Sequence, residues 1–117
     1  MSNPPLNPVS GTLELLVLRT LGAGREMHGF AILEWIKTAT EEELIVEDGA
    51  LYHALHRMER KGWIASEWGI SEKGRRARYY TISKGGARML AEEEERWSRY
   101  VEAVAKISPC DVEVLGQ

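Results

Sequence analysis

The sequence predicts a mainly α-helical domain that carries a small antiparallel β hairpin and continues into a long C-terminal helix. Apolar residues recur at helical spacing in three segments before residue 62. Two aromatic and β-branched runs, residues 63–68 and 79–83, flank a polar loop that contains glycines, which is typical of a hairpin. Residues 85–106 then return to helical spacing. A chain of 117 residues is of ordinary size for one domain with a single core.

The first helix is predicted to begin near Gly11, with Ser10 as its N-cap, and to end at Gly22-Ala23-Gly24. Its apolar positions share one face and are Leu13, Leu16, Val17 and Leu21. The second helix is predicted over about residues 27–38, and the residues near one of its faces are Phe30, Leu33 and Ile36 or Lys37. After an acidic connection, residues 44–46 are predicted to add a short edge strand to the sheet of the hairpin.

The third helix, residues 49–61, is predicted to have an apolar back and a basic front. Asp48 is its expected N-cap, and Gly62 fits just past its end. The apolar stripe is formed by Leu51, Leu55 and Met58, and the second stripe by His53, His56, Arg57 and Arg60. A helix that packs on a core with one side and offers cations with the other is what a DNA recognition helix requires.

The hairpin that follows carries cations at its tip and on the approach to it, namely Lys73, Arg75, Arg76 and Arg78. A recognition helix followed at once by a hairpin with a cationic tip is the order of elements in a winged helix-turn-helix domain. The wing of such a domain adds a second contact, with phosphates or the minor groove, beside the helix. The sequence therefore predicts a winged helix-turn-helix domain.

The charge of the chain is unevenly distributed. Residues 53–88 contain nine lysines and arginines against three acids, a local charge of +6, whereas the whole chain has a net charge of −3 and the remainder therefore −9. A local positive field is what attracts a polyanion. The densest apolar stretch, Leu13–Leu21, contains Glu14 and Arg19, so no membrane helix is expected. The polar, proline-rich start and the single Cys110 favour a cytoplasmic protein.

The segment from the third helix onward resembles the PadR family of transcriptional regulators. The positions that match the family pattern are Gly49, Leu51, Tyr52, Leu55, Arg57, Glu59, Gly62, Ile64, Tyr79, Tyr80 and Gly86. The chain departs from the pattern at Ala50 and His53, where the family has a small hydroxyl residue and a proline. The resemblance covers about residues 10–105 and is to the short class of the family, which lacks extra C-terminal helices.

The two basic elements and the resemblance together give the predicted DNA-binding residues: Gly49, Ala50, Tyr52, His53, His56, Arg57, Lys73, Arg75, Arg76 and Arg78. For Tyr52 two interpretations stay open, a phosphate contact implied by the resemblance and a core-edge residue with its hydroxyl in water. His53 and His56 have spacing that can chelate a metal, but no further ligand lies nearby in sequence. No metal and no cofactor are therefore predicted.

The C-terminal helix carries a seam of the coiled-coil type at Leu90, Glu94, Trp97, Val101 and Val104. The helix is longer than a small winged domain needs, so the seam predicts a two-fold homodimer. The resemblance adds the first helix, with Leu13 and Leu16, to that interface. Trp97 is either dimer core or, as the resemblance implies, part of a cavity between protomers for a small aromatic or hydrophobic effector.

These observations divide the chain into a flexible arm (1–9), a winged helix-turn-helix DNA-binding domain (10–83), a dimerisation helix (84–107) and a loose tail (108–117). The predicted function is a sequence-specific DNA-binding regulator, a repressor by resemblance, that acts on a palindromic operator and is released by an effector. One rival is a protein-interaction module that uses Trp63, Trp68 and the acidic helix; another is a sensor of a different winged family. The sequence shows no catalytic motif, because the acids of the run 92–95 fall on every face of a helix, so no enzyme is predicted.

Overall fold

The computed structural model describes residues 4–9 and 11–107. The described residues form four helices and a small three-stranded sheet, which confirms the predicted fold class. In chain order the elements are α1 (Leu13–Leu21), β1 (Met27–His28), α2 (Gly29–Ala39), α3 (Asp48–Arg60), β2 (Ile64–Ile70), β3 (Arg76–Ile82) and α4 (Lys84–Ala105).

The core lies between α1, α2, α3 and the base of the sheet. Leu51, Leu55 and Met58 are fully buried there, which confirms the apolar stripe predicted for α3. They pack with side chains of the neighbouring elements, chiefly Val17, Leu18, Leu21, Ile32, Ile36, Ile64 and Tyr80. Burial of this apolar surface is the main force that fixes α3 against the domain. The predicted N-cap Ser10 lies outside the described residues, and the Thr12 hydroxyl donates to the Val9 carbonyl instead of capping α1.

The prediction for α2 was wrong at its start, and its apolar face was right at Ile36 and Leu33 but wrong at Phe30. Met27–His28 forms strand β1, which pairs with β3, so the helix begins only at Gly29. The His28 ring then caps α2, because its Nδ1 accepts a hydrogen bond of 3.1 Å from the Ala31 amide. Ile32 and Ile36 are the buried apolar side chains of this helix, Leu33 is half-buried against the core, and Phe30 is exposed.

The sheet is antiparallel with the strand order β1-β3-β2. The prediction that residues 44–46 add an edge strand was wrong, because β1 occupies the free edge of β3. Leu44 instead forms an isolated parallel bridge with Leu6. The Leu6 amide donates to the Glu43 carbonyl at 2.8 Å, and the Ile45 amide donates to the Leu6 carbonyl at 3.0 Å.

Helix α4 starts directly against the base of the wing. The Ser83 hydroxyl caps it by accepting a hydrogen bond of 3.0 Å from the Gly86 amide. A Cβ at Gly86 would lie 1.9 Å from the Trp63 carbonyl oxygen, so a glycine is required for this close approach. The last turns of α4 project away from the core and are exposed. Among the described helices, none is both long and apolar enough to cross a membrane.

Candidate nucleic-acid interface

Helix α3 presents one side of its first two turns to solvent. Gly49, Ala50, Tyr52, His53 and His56 are all exposed. Asp48 is the first residue of the helix rather than its cap, and the cap residue Glu47 makes no side-chain capping bond. Apart from its own helix backbone and chain neighbours, no atom of the described residues lies within 4 Å of the position that a Cβ would take at Gly49. The start of α3 is therefore an open surface on which the edge of a base or a phosphate has room to approach.

Arg57 lies one helical turn after His53 and, unlike the exposed residues before it, is engaged by α1. Its Nη2 forms an ion pair of 3.0 Å with Glu14 Oε2 of α1, and both side chains are partly buried. The predicted stripe of four residues is thus divided in the structure, since His53, His56 and Arg60 are exposed and Arg57 is engaged by α1. Sequence reasoning missed this pair because Glu14 is distant along the chain and its contact depends on how α1 crosses α3.

The Tyr52 ring packs against the first residue of α2. A Cβ at Gly29 would lie 2.7 Å from Tyr52 Oη and 2.8 Å from its Cε1, so the ring needs a glycine beneath it. The side chain nevertheless stays 44% exposed. The ring is therefore fixed by packing while part of it faces the cleft described below, and the structure combines features of both interpretations of Tyr52 without testing a phosphate contact.

The wing positions four of its side chains on one face. The register pairs Trp68 with Arg78, and Ile70 with Arg76, so these four residues share a side of the hairpin. The guanidinium of Arg76 lies 4.4 Å from the centre of the Trp68 ring, and that of Arg78 lies 5.3 Å from it. Both distances fall within the range of cation–π attraction.

Arg78 is also held by a hydrogen-bonded link to α3. Its Nε donates to Ser66 Oγ at 3.0 Å, and Ser66 Oγ donates to Glu59 Oε2 at 2.7 Å. Arg78 Nη2 lies 3.9 Å from the same Glu59 oxygen. A charged group with two polar partners and an aromatic neighbour has little freedom to change rotamer. The link therefore couples the position of the wing to the end of α3.

The tip of the wing is closed by backbone hydrogen bonds. The Ser71 amide donates to the Arg75 carbonyl at 2.7 Å, and the Gly74 amide donates to the Ser71 carbonyl at 2.8 Å. Lys73 and Arg75 are exposed on this turn. Lys73 Nζ lies 6.0 Å from the centre of the Phe30 ring, at the outer limit for a cation–π contact. The tip thus lies above the start of α2.

A cleft of about 810 Å³ lies between the start of α2, the exposed side of α3 and the wing. Six of the ten predicted DNA-binding residues line it, namely Tyr52, His56, Lys73, Arg75, Arg76 and Arg78. Glu34 and Glu72 line it as well, so cations outnumber acids. Sequence reasoning missed its aromatic lining, which includes His28, Phe30, Trp68 and Tyr80. The hairpin register would have placed Trp68 beside the arginines, but the register depends on a loop length that the sequence leaves open.

Tyr80 lies at the inner end of this cleft and is buried. Burial raises the pKa of its phenol above the ordinary value of 10.0. The nearby Arg78 acts in the opposite direction, whereas Glu59 and Tyr52 act in the same direction as burial. Tyr80 is therefore a neutral phenol near pH 7 and contributes no negative charge to the cleft.

The predicted dimer residues fall into two groups. Leu13, Leu16 and Leu90 are half-buried against the protomer's own core, and Glu94 pairs with Arg19 of α1, whose Nε donates to both carboxylate oxygens at 2.9 Å. Val101 and Val104 are 45% and 51% exposed, and two neighbours that sequence reasoning missed, Tyr100 and Ile107, are exposed with them. The second half of the seam thus remains open in the protomer.

Trp97 lies between these two groups and is half-buried. It lines a hollow of about 280 Å³ between the start of α1 and the middle of α4, together with Leu15 and Tyr100. The Trp97 and Tyr100 rings are stacked with their centres 6.1 Å apart. In residues 4–9 and 11–107, no group of three or more His, Cys, Asp or Glu side chains is arranged to hold a metal ion. Cys110 lies outside the described residues.

Comparison with known proteins identifies the fold and the family. The model of the transcriptional regulator PadR-like family matches residues 17–92, which is more than half of the chain. The chain belongs to the PadR family. This match confirms the resemblance that the third helix and the wing indicate. The winged helix of this chain is therefore a DNA-binding fold of transcriptional regulators.

Solved structures of transcriptional regulators agree with this assignment. A transcriptional regulator from Clostridium thermocellum is 27% identical, with a TM-score of 0.75 over 83% of this chain and 90% of that one. A PadR family transcriptional regulator from Eggerthella lenta is 31% identical, with a TM-score of 0.68 over 82% and 80% of the two chains. An uncharacterised protein from Lysinibacillus sphaericus is 25% identical over 82% of this chain and 87% of its own length.

Proposed function

We propose that this PadR-family protein is a homodimeric repressor that binds a palindromic operator and blocks the promoter that contains it. The observation that carries the proposal is that two exposed residues of α3, Tyr52 and His56, border the same cleft as the cations of the wing. In this arrangement α3 enters a major groove with Gly49, Ala50, His53 and His56, while the wing contacts the flanking phosphates. We expect such a protein to act in the cytoplasm.

The second half of the α4 seam supports the dimer. Val101, Val104 and their exposed neighbours form an apolar strip on a helix that extends beyond the core. A copy of the same helix is the simplest partner, because a two-fold contact buries the same strip on both chains. Two such protomers would place their recognition helices in successive major grooves, about 34 Å apart.

The hollow beside Trp97 supports release by an effector. It lies between α1 and α4, so a flat aromatic or hydrophobic compound bound there would contact both helices. A compound that binds one angle between the two DNA-binding heads more tightly than another would shift the population toward that angle. Such a shift would change the spacing of the two recognition helices and release the operator.

Duplex DNA binding tests the central proposal. The protein should bind random duplex DNA at low salt with micromolar or tighter affinity, and a genomic footprint should reveal a shared palindromic site. The rival interaction module, which uses Trp63 and Trp68 as docking surfaces, should show little binding of random duplex. Absence of duplex binding at low salt would overturn the proposed function.

Fluorescence titration with candidate aromatic compounds tests the effector. Binding in the hollow should quench the Trp97 emission, and the quenching should be lost in Trp97→Ala, whereas Trp35, Trp63 and Trp68 continue to emit. Quenching that persists unchanged in Trp97→Ala would place the compound elsewhere. If no compound that relieves repression quenches the Trp97 emission, Trp97 has only a packing role.

A further inference from the structure

The wing cations differ in how firmly their side chains are positioned. Arg76 and Arg78 both lie against the Trp68 ring, and Arg78 has the additional link through Ser66 to α3. Arg75 lies on the exposed turn, and among the ion pairs and cation–π contacts of the described residues none involves its side chain. One part of the wing is therefore ordered before any ligand arrives.

Trp68 has no role in the hydrophobic core that would explain this position. Its side chain is 58% exposed and lies further toward the tip than Tyr80, the last buried residue of the hairpin. Along the shared face, buried Ile64 and half-buried Ser66 come first, and Trp68 follows where the strands leave the core. A large exposed indole adds little to folding, but its face offers a surface for two guanidinium groups.

We propose that Trp68 is a positioning residue that fixes Arg76 and Arg78 on the cleft side of the wing, ready to contact the DNA backbone. The inference rests on the proposed DNA-binding function and adds to it the residue that orders the contacts. Without the ring, Arg76 would sample many rotamers, most of them turned away from the cleft. Binding would then have to order the side chain, which weakens affinity by about three- to tenfold for each long side chain immobilised.

The charges around the ring favour this role. Trp68, Arg76 and Arg78 all line the cleft, as do Tyr52 and His56 of α3. Glu59 is the acid nearest to Arg78, at 3.9 Å, and among the described ion pairs none involves Arg76. The ring attracts the guanidinium groups without neutralising them, whereas a carboxylate in its place would cancel the charge that phosphates need. An aromatic residue is therefore suited to positioning cations that must remain available to an anion.

The first experiment compares Trp68→Ala with Trp68→Phe in duplex binding at several salt concentrations. We expect Trp68→Ala to lower affinity about tenfold and Trp68→Phe to retain most of the wild-type affinity, because a phenyl face still attracts cations. The slope of log affinity against log salt should stay near the wild-type value in Trp68→Ala, since the same phosphates are contacted once bound. In an Arg76→Ala/Arg78→Ala background, Trp68→Ala should have no further effect.

The matched control is Trp35→Ala. Trp35 is a second exposed tryptophan with an arginine over its ring, Arg25 at 3.9 Å, but it lies on α2 outside the cleft. We expect Trp35→Ala to leave duplex affinity unchanged. Thermal unfolding followed by circular dichroism should give the same folded signal for all variants at the temperature of the binding assay.

A second measurement needs no DNA. Relaxation of the arginine Nε–Hε groups by NMR should show Arg76 and Arg78 as ordered in the free wild-type protein and Arg75 as mobile. In Trp68→Ala the order of Arg76 should fall to that of Arg75, while Arg78 keeps part of its order through Ser66. This comparison reports on side-chain positioning in the free protein.

The outcomes separate the inference from the function beneath it. If wild-type protein does not bind duplex DNA, the proposed function fails, and the NMR comparison still decides the positioning role. If wild type binds and Trp68→Ala binds equally well, the inference is overturned. It is also overturned if Trp68→Ala weakens binding equally with and without the two arginines, or if Trp68→Phe is as weak as Trp68→Ala, because both results would make the indole a direct DNA contact.

Discussion

The cleft side and the α1–α4 side of this protein use arginine for different purposes. In the cleft, Arg75 and Arg76 have no carboxylate partner among the described ion pairs. Along α4, by contrast, Arg19 pairs with Glu94 and Arg96 pairs with Glu93 at 2.6 Å. The chain as a whole is acidic, yet among the described ion pairs its acids engage Arg19 and Arg96 closely, approach Arg78 only to 3.9 Å and leave Arg75 and Arg76 available. Local placement, rather than net charge, determines where a polyanion would bind.

The exposed apolar residues of the cleft side and of the α1–α4 side also differ in the kind of partner that they suit. Two guanidinium groups lie against the Trp68 ring in the cleft, so this exposed aromatic residue forms part of a positively charged surface. Val101, Val104 and Ile107 on α4 are exposed aliphatic side chains, which have no attraction for ions. An aliphatic strip fits a second apolar surface, and an aromatic surface with cations fits an anionic partner. The four predictions below test this division.

The largest effect is expected from charges placed in the α4 strip. Val101→Asp/Val104→Asp should convert the proposed dimer to a monomer, because two carboxylates would be buried near two more across the two-fold axis. Operator affinity should then fall about 100-fold or more, since the two heads no longer bind as one unit. Sedimentation and operator binding measure the two consequences. Ala103→Asp adds an acid to the exposed opposite side of α4, and if that control also becomes a monomer, the assignment of the strip to the dimer interface is wrong.

A smaller effect is expected from single wing cations. Arg75→Ala and Arg76→Ala should each weaken binding to specific and random duplexes alike and lower the salt slope by about one unit per lost phosphate contact. Arg96→Ala removes an arginine whose charge is paired on the other side of the molecule. Its salt slope should match that of the wild type. A wing variant that weakened binding to the operator alone would instead indicate base recognition by the wing.

Substitutions in the recognition helix should change sequence preference rather than overall affinity. His53→Ala and Arg57→Ala should change which site is preferred, with about 1–3 kcal/mol of discrimination lost for each base contact removed. Arg57 needs a second variant, because its guanidinium pairs with Glu14 in the free protein. Glu14→Gln breaks that pair and keeps Arg57. If Glu14→Gln and Arg57→Ala change site selection in the same way, Arg57 acts by positioning α3 and does not read a base.

Most of the fold could be predicted because its signals are local. The burial of Leu51, Leu55 and Met58 follows from spacing along one helix, and the hairpin follows from two short runs and a glycine-containing loop. The parts of the fold that were predicted wrongly depend on contacts between segments that are far apart in sequence. Strand β1 has only two residues, too few for any periodicity, and it is held in the sheet by the edge of β3, which is far away in sequence.

The prediction of the functional site was limited in the same way, by contacts that only the tertiary structure determines. The cations of α3 and the wing could be named from residue type and order, and six predicted residues do border one cleft. The sequence could not predict that Arg57 pairs with Glu14 or that Arg76 stacks on Trp68. Both contacts depend on how two elements cross or align in the folded chain. A side chain's type indicates the chemistry that it can perform, whereas tertiary packing decides which partner already occupies it.

The smallest effect is expected from Tyr80, the buried residue at the inner end of the cleft. Its pKa is raised in the folded protein chiefly by burial, so the unfolded chain loses the phenol proton at a lower pH than the folded chain does. Its contribution to stability is therefore fully present below about pH 10 and is lost as the pH rises through the folded pKa.

Tyr80→Phe has no phenol to ionise, so its free energy of unfolding should fall less than that of the wild type between about pH 9 and about pH 11. Urea unfolding at several pH values measures the difference. If Tyr80→Phe and the wild type lose stability in parallel over this range, then burial does not favour the neutral form of Tyr80, and the cleft is more open to water at its inner end than the packing around Tyr80 indicates.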